Sequence, residues 1–292
     1  MSIGFHYFEA VKQSLSLQWL KKEEAPQILG RLIAIGSVTS LTVYSLLWFF
    51  IEIFQASFLV NFLVSGGICL GLAIFMGMYF PSFEEKSQQK KSIVLRKRYW
   101  LYYLLTFLSG ARRQIFVVFA AFLMVEKFGY SVSEVTLLFL VNYAFNWLFA
   151  EKIGQLIGRI GERRALTLEY TGLVFVFVAY GLVENATLAA CLYVIDHMFF
   201  ALAIGIKTYF QKIADPADMA SSAGVSFTIN HIAAVVIPAA LGLVWLWSHA
   251  LVFYFGAMFA FLSLIASQLI PRDPMRGKET NLTSSNSLGY QT

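Results

Sequence analysis

The stretch "LLTFLSGARRQIFVVFAAFLMVEKFG", residues 104–129, is apolar over most of its length but carries Arg112 and Arg113 side by side near its middle. A run of this length predicts a membrane-spanning helix, because roughly 20 mostly apolar residues cross the hydrocarbon core. A charge at the bilayer centre costs about 3 kcal/mol on insertion scales. The two arginines therefore predict a polar cavity or buried ion pairs inside a helix bundle.

The rest of the chain has the same apolar character. Of its 292 residues 58% are hydrophobic and 13% charged, whereas a soluble domain usually carries about 25% charged residues. Eight runs are long enough to span a bilayer and too long for barrel strands. We predict an all-α integral membrane protein with about eight spans. The runs cover approximately residues 32–54, 58–80, 99–125, 133–150, 166–184, 187–210, 220–246 and 249–270.

The basic residues predict how the chain crosses the membrane. Nearly all of the 22 Lys and Arg residues fall in the two ends and in alternate connections; the exceptions are Lys127, Arg112 and Arg113. This bias places both termini in the cytoplasm. We expect a multi-pass protein of a prokaryotic cytoplasmic (inner) membrane. Its net charge of +5 then reflects basic loops facing anionic lipids, and no nucleic-acid partner is expected.

A basic connection divides the chain into parts. Residues 81–98, "PSFEEKSQQKKSIVLRKR", form the longest charged stretch between runs and predict a cytoplasmic linker. Before it, residues 1–80 hold a water-facing or interfacial segment and two spans. After it, residues 99–271 form a six-helix bundle. The polar residues 272–292 are predicted to be a disordered cytoplasmic tail.

Strongly polar side chains recur at mid-membrane depth in four of the last six runs, and such groups normally face a cavity or one another. The fifth and eighth runs have no charge at their centres. We predict a cavity lined by the third, fourth, sixth and seventh runs, with the fifth and eighth facing lipid and Asp196 partly compensating the arginines. The polar residues are Arg112, Arg113, Asn142, Asn146, Asp196, His197, Ser222, Ser226, Asn230 and His231.

A purely structural interpretation of these residues stays open. A buried Arg–Asp pair can simply lock helices together. The Asn side chains and the Ser222 stripe can make interhelical hydrogen bonds, which stabilise membrane bundles without touching a solute. His197 and His231 can be ordinary hydrogen-bonded histidines.

The connection after the fourth run reads "EKIGQLIGRIGERRAL", residues 151–166. It resembles the loop signature G-x-x-x-D-R/K-x-G-R/K-R/K of the major facilitator superfamily of secondary transporters. Gly154, Arg159, Gly161 and Arg163 fall on its spacing, whereas Gly158 replaces an acidic residue and Glu162 a basic one. The basic linker followed by six spans also matches the family. The runs predicted to face lipid resemble its peripheral helices.

The resemblance implies a fold, a mechanism and roles for residues. The family has twelve helices in two halves, so the chain looks like the last two helices of the N-terminal half plus a complete C-terminal half. That pattern suggests a truncated or split transporter, or one working with a missing N-terminal half or a second copy. It implies alternating access to a central site. Substrate-binding candidates are Arg112, Arg113, Asn142, Asn146 and Asn230; proton-coupling candidates are Asp196, His197 and His231.

The chain offers no nucleophile–base pair, metal cluster or phosphate loop, so neither an enzyme, a cofactor nor a metal site is expected. The expected partners are membrane lipids and a small solute. The arginines favour an anionic solute, and the aromatic content would suit an amphipathic one. A second class of function stays open, namely a non-transporting sensor or assembly subunit built on the same scaffold.

Overall fold

The computed structural model describes residues 2–53, 55, 57–80, 87–90, 92 and 94–282. This part of the chain forms nine helical stretches and no β-strand, apart from an isolated bridge between Met275 and Lys278. The helices are α1 (Ser2–Trp19), α2 (Ala25–Glu52), α3 (Phe58–Tyr79), α4 (Lys97–Glu126), α5 (Val132–Ile160), α6 (Glu162–Leu182), α7 (Ala186–Ile213), α8 (Pro216–Trp245) and α9 (His249–Ser267).

Three of these helices contain irregular turns. In α4 a 3-10 turn, Lys97–Tyr99, precedes the α-helical part, and a π-helical turn, Ile115–Ala120, follows directly after the two arginines and Gln114. In α7 a 3-10 turn occupies Ala201–Ala203, and α8 begins with another at Pro216–Asp218. The π-helical turn has six residues, whereas each of these 3-10 turns has three. Turns of the π type frequently occur at functional sites.

Among the described residues, seven helices are long and apolar enough to cross a membrane, namely α2 to α4 and α6 to α9. The remaining predicted run, 133–150, falls inside α5, a continuous helix of 29 residues. At 1.5 Å per residue α5 is about 43 Å long, which exceeds the hydrocarbon core. Asn142, Asn146 and Glu151 lower its mean hydropathy. The predicted all-α membrane fold is confirmed.

Local sequence explains where α5 begins and ends. The Ser131 hydroxyl accepts from the Glu134 backbone N–H, and the Glu134 side chain accepts from the Ser131 backbone N–H, which makes a reciprocal capping box. At the other end Gly161 has φ of 82°, in the region that glycine reaches without a steric penalty. This glycine lets the chain reverse from α5 into α6 with no longer connection.

Helices α4 to α9 form one bundle. The end of it that carries residues 94–99 and 213–218 is called the linker end, and the opposite end, near residues 126–131 and 245–249, the far end. A cluster of buried apolar side chains that includes Phe177 and Phe253 fills the far half, and a second one that includes Leu101 and Phe210 fills the linker half.

Helix α2 joins this bundle through an extended contact with α5. A Cβ atom added to Gly154 would lie 2.1 Å from the Pro26 carbonyl oxygen, and one added to Gly30 would lie 2.2 Å from the Ala150 carbonyl oxygen. The two backbones therefore touch, as small residues allow in membrane bundles. Beside them Glu151 accepts hydrogen bonds from Gln27 and Arg31.

The segment predicted to be water-facing or interfacial, residues 1–27, contains a helix packed against the bundle. The His6 ring of α1 lies 4.4 Å from the His231 ring of α8, between their centroids. At the linker end Gln211 of α7 donates to the carbonyl oxygens of Leu17 and Leu20. Hydropathy does not reveal α1, because charged and hydroxyl residues alternate with apolar ones along it.

The linker and the tail also pack on the linker end. Gln89 donates to the Pro216 carbonyl oxygen at 2.8 Å, and Arg96 pairs with Asp218 at 2.9 Å. Residues 272–282, which their composition predicts to be disordered, fold back there instead, with Tyr209 donating to the Glu279 carbonyl oxygen at 2.6 Å. Buried hydrogen bonds outweigh composition in this segment. Residues 81–86, 91, 93 and 283–292 lie outside the described part of the chain.

Candidate functional site

Arg112 lies in the interior of the bundle, where its two terminal guanidinium nitrogens contact other helices. Only 1% of its surface is exposed. One guanidinium nitrogen donates to Ser263 Oγ of α9, and another lies 3.4 Å from Glu169 Oε1 of α6. The guanidinium carbon is 4.5 Å from the centre of the Tyr170 ring. Arg112 therefore ties α4 to α6 and α9.

Glu169 is the residue that sequence reasoning missed. The fifth run has no charge at its centre and was expected to face lipid, yet Glu169 of α6 is fully buried and is the carboxylate that pairs with Arg112. Its position near the start of run 166–184 hides it, because hydropathy averages over the whole run. The sequence did contain one indication of this pairing. A buried arginine requires a carboxylate partner, and Glu169 is an acidic residue inside a neighbouring run.

Asp196 was expected to compensate the arginines and does so only at a distance. It is 1% exposed, and among the described residues neither of its carboxylate oxygens has a hydrogen-bond partner. The charge of Arg112 acts on it, while the direct bond of Arg112 goes to Glu169. Asp196 is thus a buried carboxyl group without a hydrogen-bond partner among the described residues.

Helices α5 and α7 meet through a polar pair. Asn146 Nδ2 lies 2.9 Å from His197 Nε2, and both side chains are partly buried. Asn142, one turn earlier on α5, is only 3% exposed, and its Oδ1 has no partner in the described structure. Of the two asparagines predicted to face a cavity, Asn146 is the accessible one.

Arg113 points away from the contacts of Arg112. Its side chain is exposed, and no described residue forms a hydrogen bond or an ion pair with it. Its positive charge acts on Tyr143 of α5 and on His197 and Lys207 of α7. Arg113 therefore faces the space between α4, α5 and α7.

Helix α8 contributes two kinds of polar residue. Ser226 shares a hydrogen bond with Tyr102 of α4, and Ser222 is fully buried. Asn230 is exposed, and a Cβ atom added to Gly110 of α4 would lie 2.8 Å from its Oδ1. Ser226 joins α8 to α4, whereas Asn230 lies beside the face of α4 that carries Arg113 one turn later.

A comparison with protein-family models decides the family. The model described as Major Facilitator Superfamily matches residues 1–238. The chain belongs to the major facilitator superfamily. It is a membrane transporter of that type. No curated protein matches the chain in a sequence search.

The structure explains the residue types at several positions of the loop motif of this superfamily member. Gly154 permits the backbone contact with α2, and Gly161 forms the turn. Arg163 donates to Gln268 Oε1 at 3.2 Å, while Arg159 is exposed. Glu162, which departs from the family pattern, is buried and lies 2.7 Å from Lys212 of α7, so an ion pair explains the departure.

Helices α6 and α9, which were predicted to face lipid, carry both exposed and buried side chains. Phe175 of α6 is 70% exposed, whereas Phe259 of α9 packs on the apolar cluster of the far half. These helices contribute Glu169 and Ser263 to the partners of Arg112. No group of three or more His, Cys, Asp or Glu residues within the described ranges could hold a metal ion.

Proposed function

We propose that the chain moves a small solute across the membrane by alternating access, through a site between α4, α5, α7 and α8. The observation that supports it best is the convergence of Arg113, Asn146 and His197 from three helices. Ionisable groups at this depth are expensive, and those facing a cavity commonly mark solute pathways.

The candidate residues divide into two groups. Arg113, Asn146 and Asn230 are partly or fully exposed and are assigned to solute binding. Arg112 and Asn142 are buried and are assigned to positioning the helices. Arg112 already donates to a serine and pairs with a carboxylate, and with 1% of its surface exposed it is out of reach of a solute.

Proton coupling is assigned to Asp196, with His197 and His231 as further candidates. Arg112 and Glu169 balance each other, so protonation of Asp196 changes the net charge of this buried group. His197 is bonded to Asn146 and lies in the field of Arg113, and His231 Nδ1 lies 2.9 Å from the Phe227 carbonyl oxygen. Flux that loses its dependence on an imposed pH gradient in Asp196→Asn, and keeps it in His231→Gln, supports this assignment.

Alternating access requires the contact between α2 and α5 at the linker end to open and close. Gln27 Nε2 and Glu151 Oε1, 3.0 Å apart, lie on opposite sides of that contact. Cysteines at both positions, joined by a short bifunctional thiol reagent, should arrest transport because the two helices can no longer separate. The native Cys69 and Cys191 are exposed and are first replaced by serine.

The measurement is uptake into proteoliposomes of radiolabelled succinate, phosphate, glutamate and tetraphenylphosphonium as probes. A matched control joins cysteines at Lys127 and Glu184, 2.9 Å apart and both within the α4–α9 bundle. Flux should stop in the first variant and continue in the second. Flux of no probe, or flux that survives the first cross-link, contradicts the proposal and fits a sensor or assembly subunit.

A further inference from the structure

A carboxylate, an indole and an imidazole meet at the far end of the bundle. Glu126 is the last residue of α4, Trp245 the last of α8 and His249 the first of α9. Trp245 Nε1 donates to Glu126 Oε2 at 2.8 Å, and His249 Nε2 lies 3.8 Å from Glu126 Oε1. The imidazole stacks on the indole, with 4.2 Å between the ring centroids and 27° between the ring planes. Three helix ends therefore converge on one cluster.

The indole holds Glu126 in position. Trp245 is buried, and the rings of Phe119 and Phe122 pack on it with 5.4 and 5.5 Å between centroids. Its N–H fixes one carboxylate oxygen, while the other oxygen lies nearest to the imidazole. A hydrogen bond spans about 2.7–3.2 Å, so this contact becomes one if the imidazole moves by roughly 1 Å. The cluster therefore contains an ion pair that is not yet closed.

Protons reach this cluster from water, because the side chains of His249 and Glu126 are 37% and 46% exposed. Imidazole is the side chain that ordinarily changes charge between about pH 5 and pH 8. A proton on His249 adds an attraction to the carboxylate and a cation–π attraction to the indole face. The N-terminal position in α9 opposes the charge, because the helix dipole is positive there. The carboxylate and the indole act against that cost.

The other ionisable groups at the far end are engaged elsewhere. Among the described residues, only the one carboxylate described above lies within 4 Å of the imidazole. Lys127 forms an ion pair with Glu184 at 2.9 Å, and Glu134 caps α5. The phenols of Tyr180 and Tyr193 lie in the apolar cluster of the far half, and phenols ordinarily stay neutral over this pH range.

We propose that Glu126, Trp245 and His249 form a proton-binding site that clamps the ends of α4, α8 and α9 together when His249 is charged. The turn between α8 and α9 is fastened to α4 at acidic pH and released at alkaline pH. The basic residues predict that the far end faces outside, so the site responds to external pH. This proposal does not depend on transport of a solute or on Asp196.

The fluorescence of Trp245 measures this site directly, because a protonated imidazole in contact with an indole quenches its emission. We expect the emission to fall reversibly as the pH is lowered from 8 to 5, and His249→Gln to abolish the fall. The other tryptophans are first removed by Trp19→Phe, Trp48→Phe, Trp100→Phe, Trp147→Phe and Trp247→Phe. If that chain does not fold, the difference in emission between the unaltered chain and Trp245→Phe gives the same titration.

Glu126→Gln separates a clamp from an exposed histidine that merely lies beside a tryptophan. The glutamine carbonyl still accepts from the indole but carries no charge, so the midpoint of quenching should move down by about 0.2–0.7 pH unit. Glu184→Gln is the matched control, because it removes a carboxylate from the same end without touching His249. Its midpoint should not move. Equal midpoints in both variants, or emission that does not depend on pH before either change, would overturn the proposal.

Thermal unfolding tests whether the proton fastens the helices. The unaltered chain should melt about 1–3 °C above His249→Gln at pH 5.5, where the imidazole is charged, and that margin should be lost at pH 8. The sign follows from the contact: the stabilisation is present when the proton is bound and disappears as the pH rises. A margin that is the same at both pH values would overturn the clamp, even if the quenching is seen.

Discussion

Two adjacent arginines occupy opposite environments in this transporter. Arg112 is buried and bonded to α6 and α9, whereas Arg113, one residue later, is exposed and unpaired among the described residues. A helix turns by about 100° per residue, so neighbours point to different sides. The comparison shows that two neighbouring charges in one membrane-spanning helix can have opposite environments, and that the helices each side chain contacts decide which environment it has.

The largest effect is expected from removing the Arg112 charge. Arg112→Leu leaves Glu169 buried without its partner, and breaking a buried ion pair costs about 3–5 kcal/mol. The variant should lose most of its folded protein, measured as the monodisperse fraction in detergent after mild heating. If Arg112→Leu folds with an unchanged melting temperature, Arg112 contributes no more to stability than Arg113 does, and the comparison above is wrong.

Removing both charges should recover much of that loss. In Arg112→Leu/Glu169→Leu no unpaired charge is buried, and replacing a buried pair by apolar residues is often neutral or stabilising by about 1–4 kcal/mol. The matched control is Arg112→Leu/Asp196→Leu, which leaves Glu169 unpaired and should stay unstable. Equal recovery in both double variants would mean that Asp196 and Glu169 share Arg112, contrary to the bonding described above.

A smaller loss is expected where the bundle meets α2. Gly154→Ala places a methyl group against the Pro26 carbonyl, and overpacking of this kind costs about 1–3 kcal/mol. Gly158 lies one turn later in α5 with nothing within 4 Å of an added Cβ, so Gly158→Ala should be neutral or slightly stabilising. Thermal unfolding of the two variants, followed by tryptophan fluorescence, measures the difference; identical melting temperatures would contradict a tight α2–α5 contact.

Ser263→Ala measures how much the hydrogen bond from Arg112 to Ser263 contributes to stability. It removes one acceptor of the buried guanidinium but leaves Glu169 in place, and a hydrogen bond to a charged group contributes about 1.5–3 kcal/mol. Because the ion pair and the Tyr170 ring remain, we expect a value at the low end of that range, read from the same melting curves. A loss as large as that of Arg112→Leu would assign the stabilisation to Ser263 and not to Glu169.

The smallest effect on folding is expected at Arg113. Its guanidinium bonds to no described residue, so Arg113→Gln should leave the melting temperature unchanged while it removes a positive charge from the exposed face of α4. Measuring folding and solute uptake on one preparation separates the effect on stability from the effect on transport. A strong destabilisation would place Arg113 with Arg112 in the packed interior.

The fold was predictable from the sequence to a larger extent than the site. Long apolar runs give the helices, because no other backbone arrangement of that length satisfies its hydrogen bonds in lipid. The pairing of Arg112 with Glu169 depends on which faces of α4 and α6 meet, and a single run does not contain that information. Helix α1 was missed for a related reason, since its polar residues suggested water or the interface, whereas the structure packs it against α7 and α8.

The π-helical turn at Ile115–Ala120 has a consequence for how α4 can vary. Such a turn accommodates one surplus residue, and in a regular α-helix that residue would rotate everything beyond it by about 100°. The π-helical turn compensates for this rotation. Phe119 and Leu123 therefore remain buried in the core, although Arg112 and Arg113 before the turn point in different directions. The two halves of α4 are thereby decoupled: the half with the arginines can change its rotational setting while the far half keeps its own.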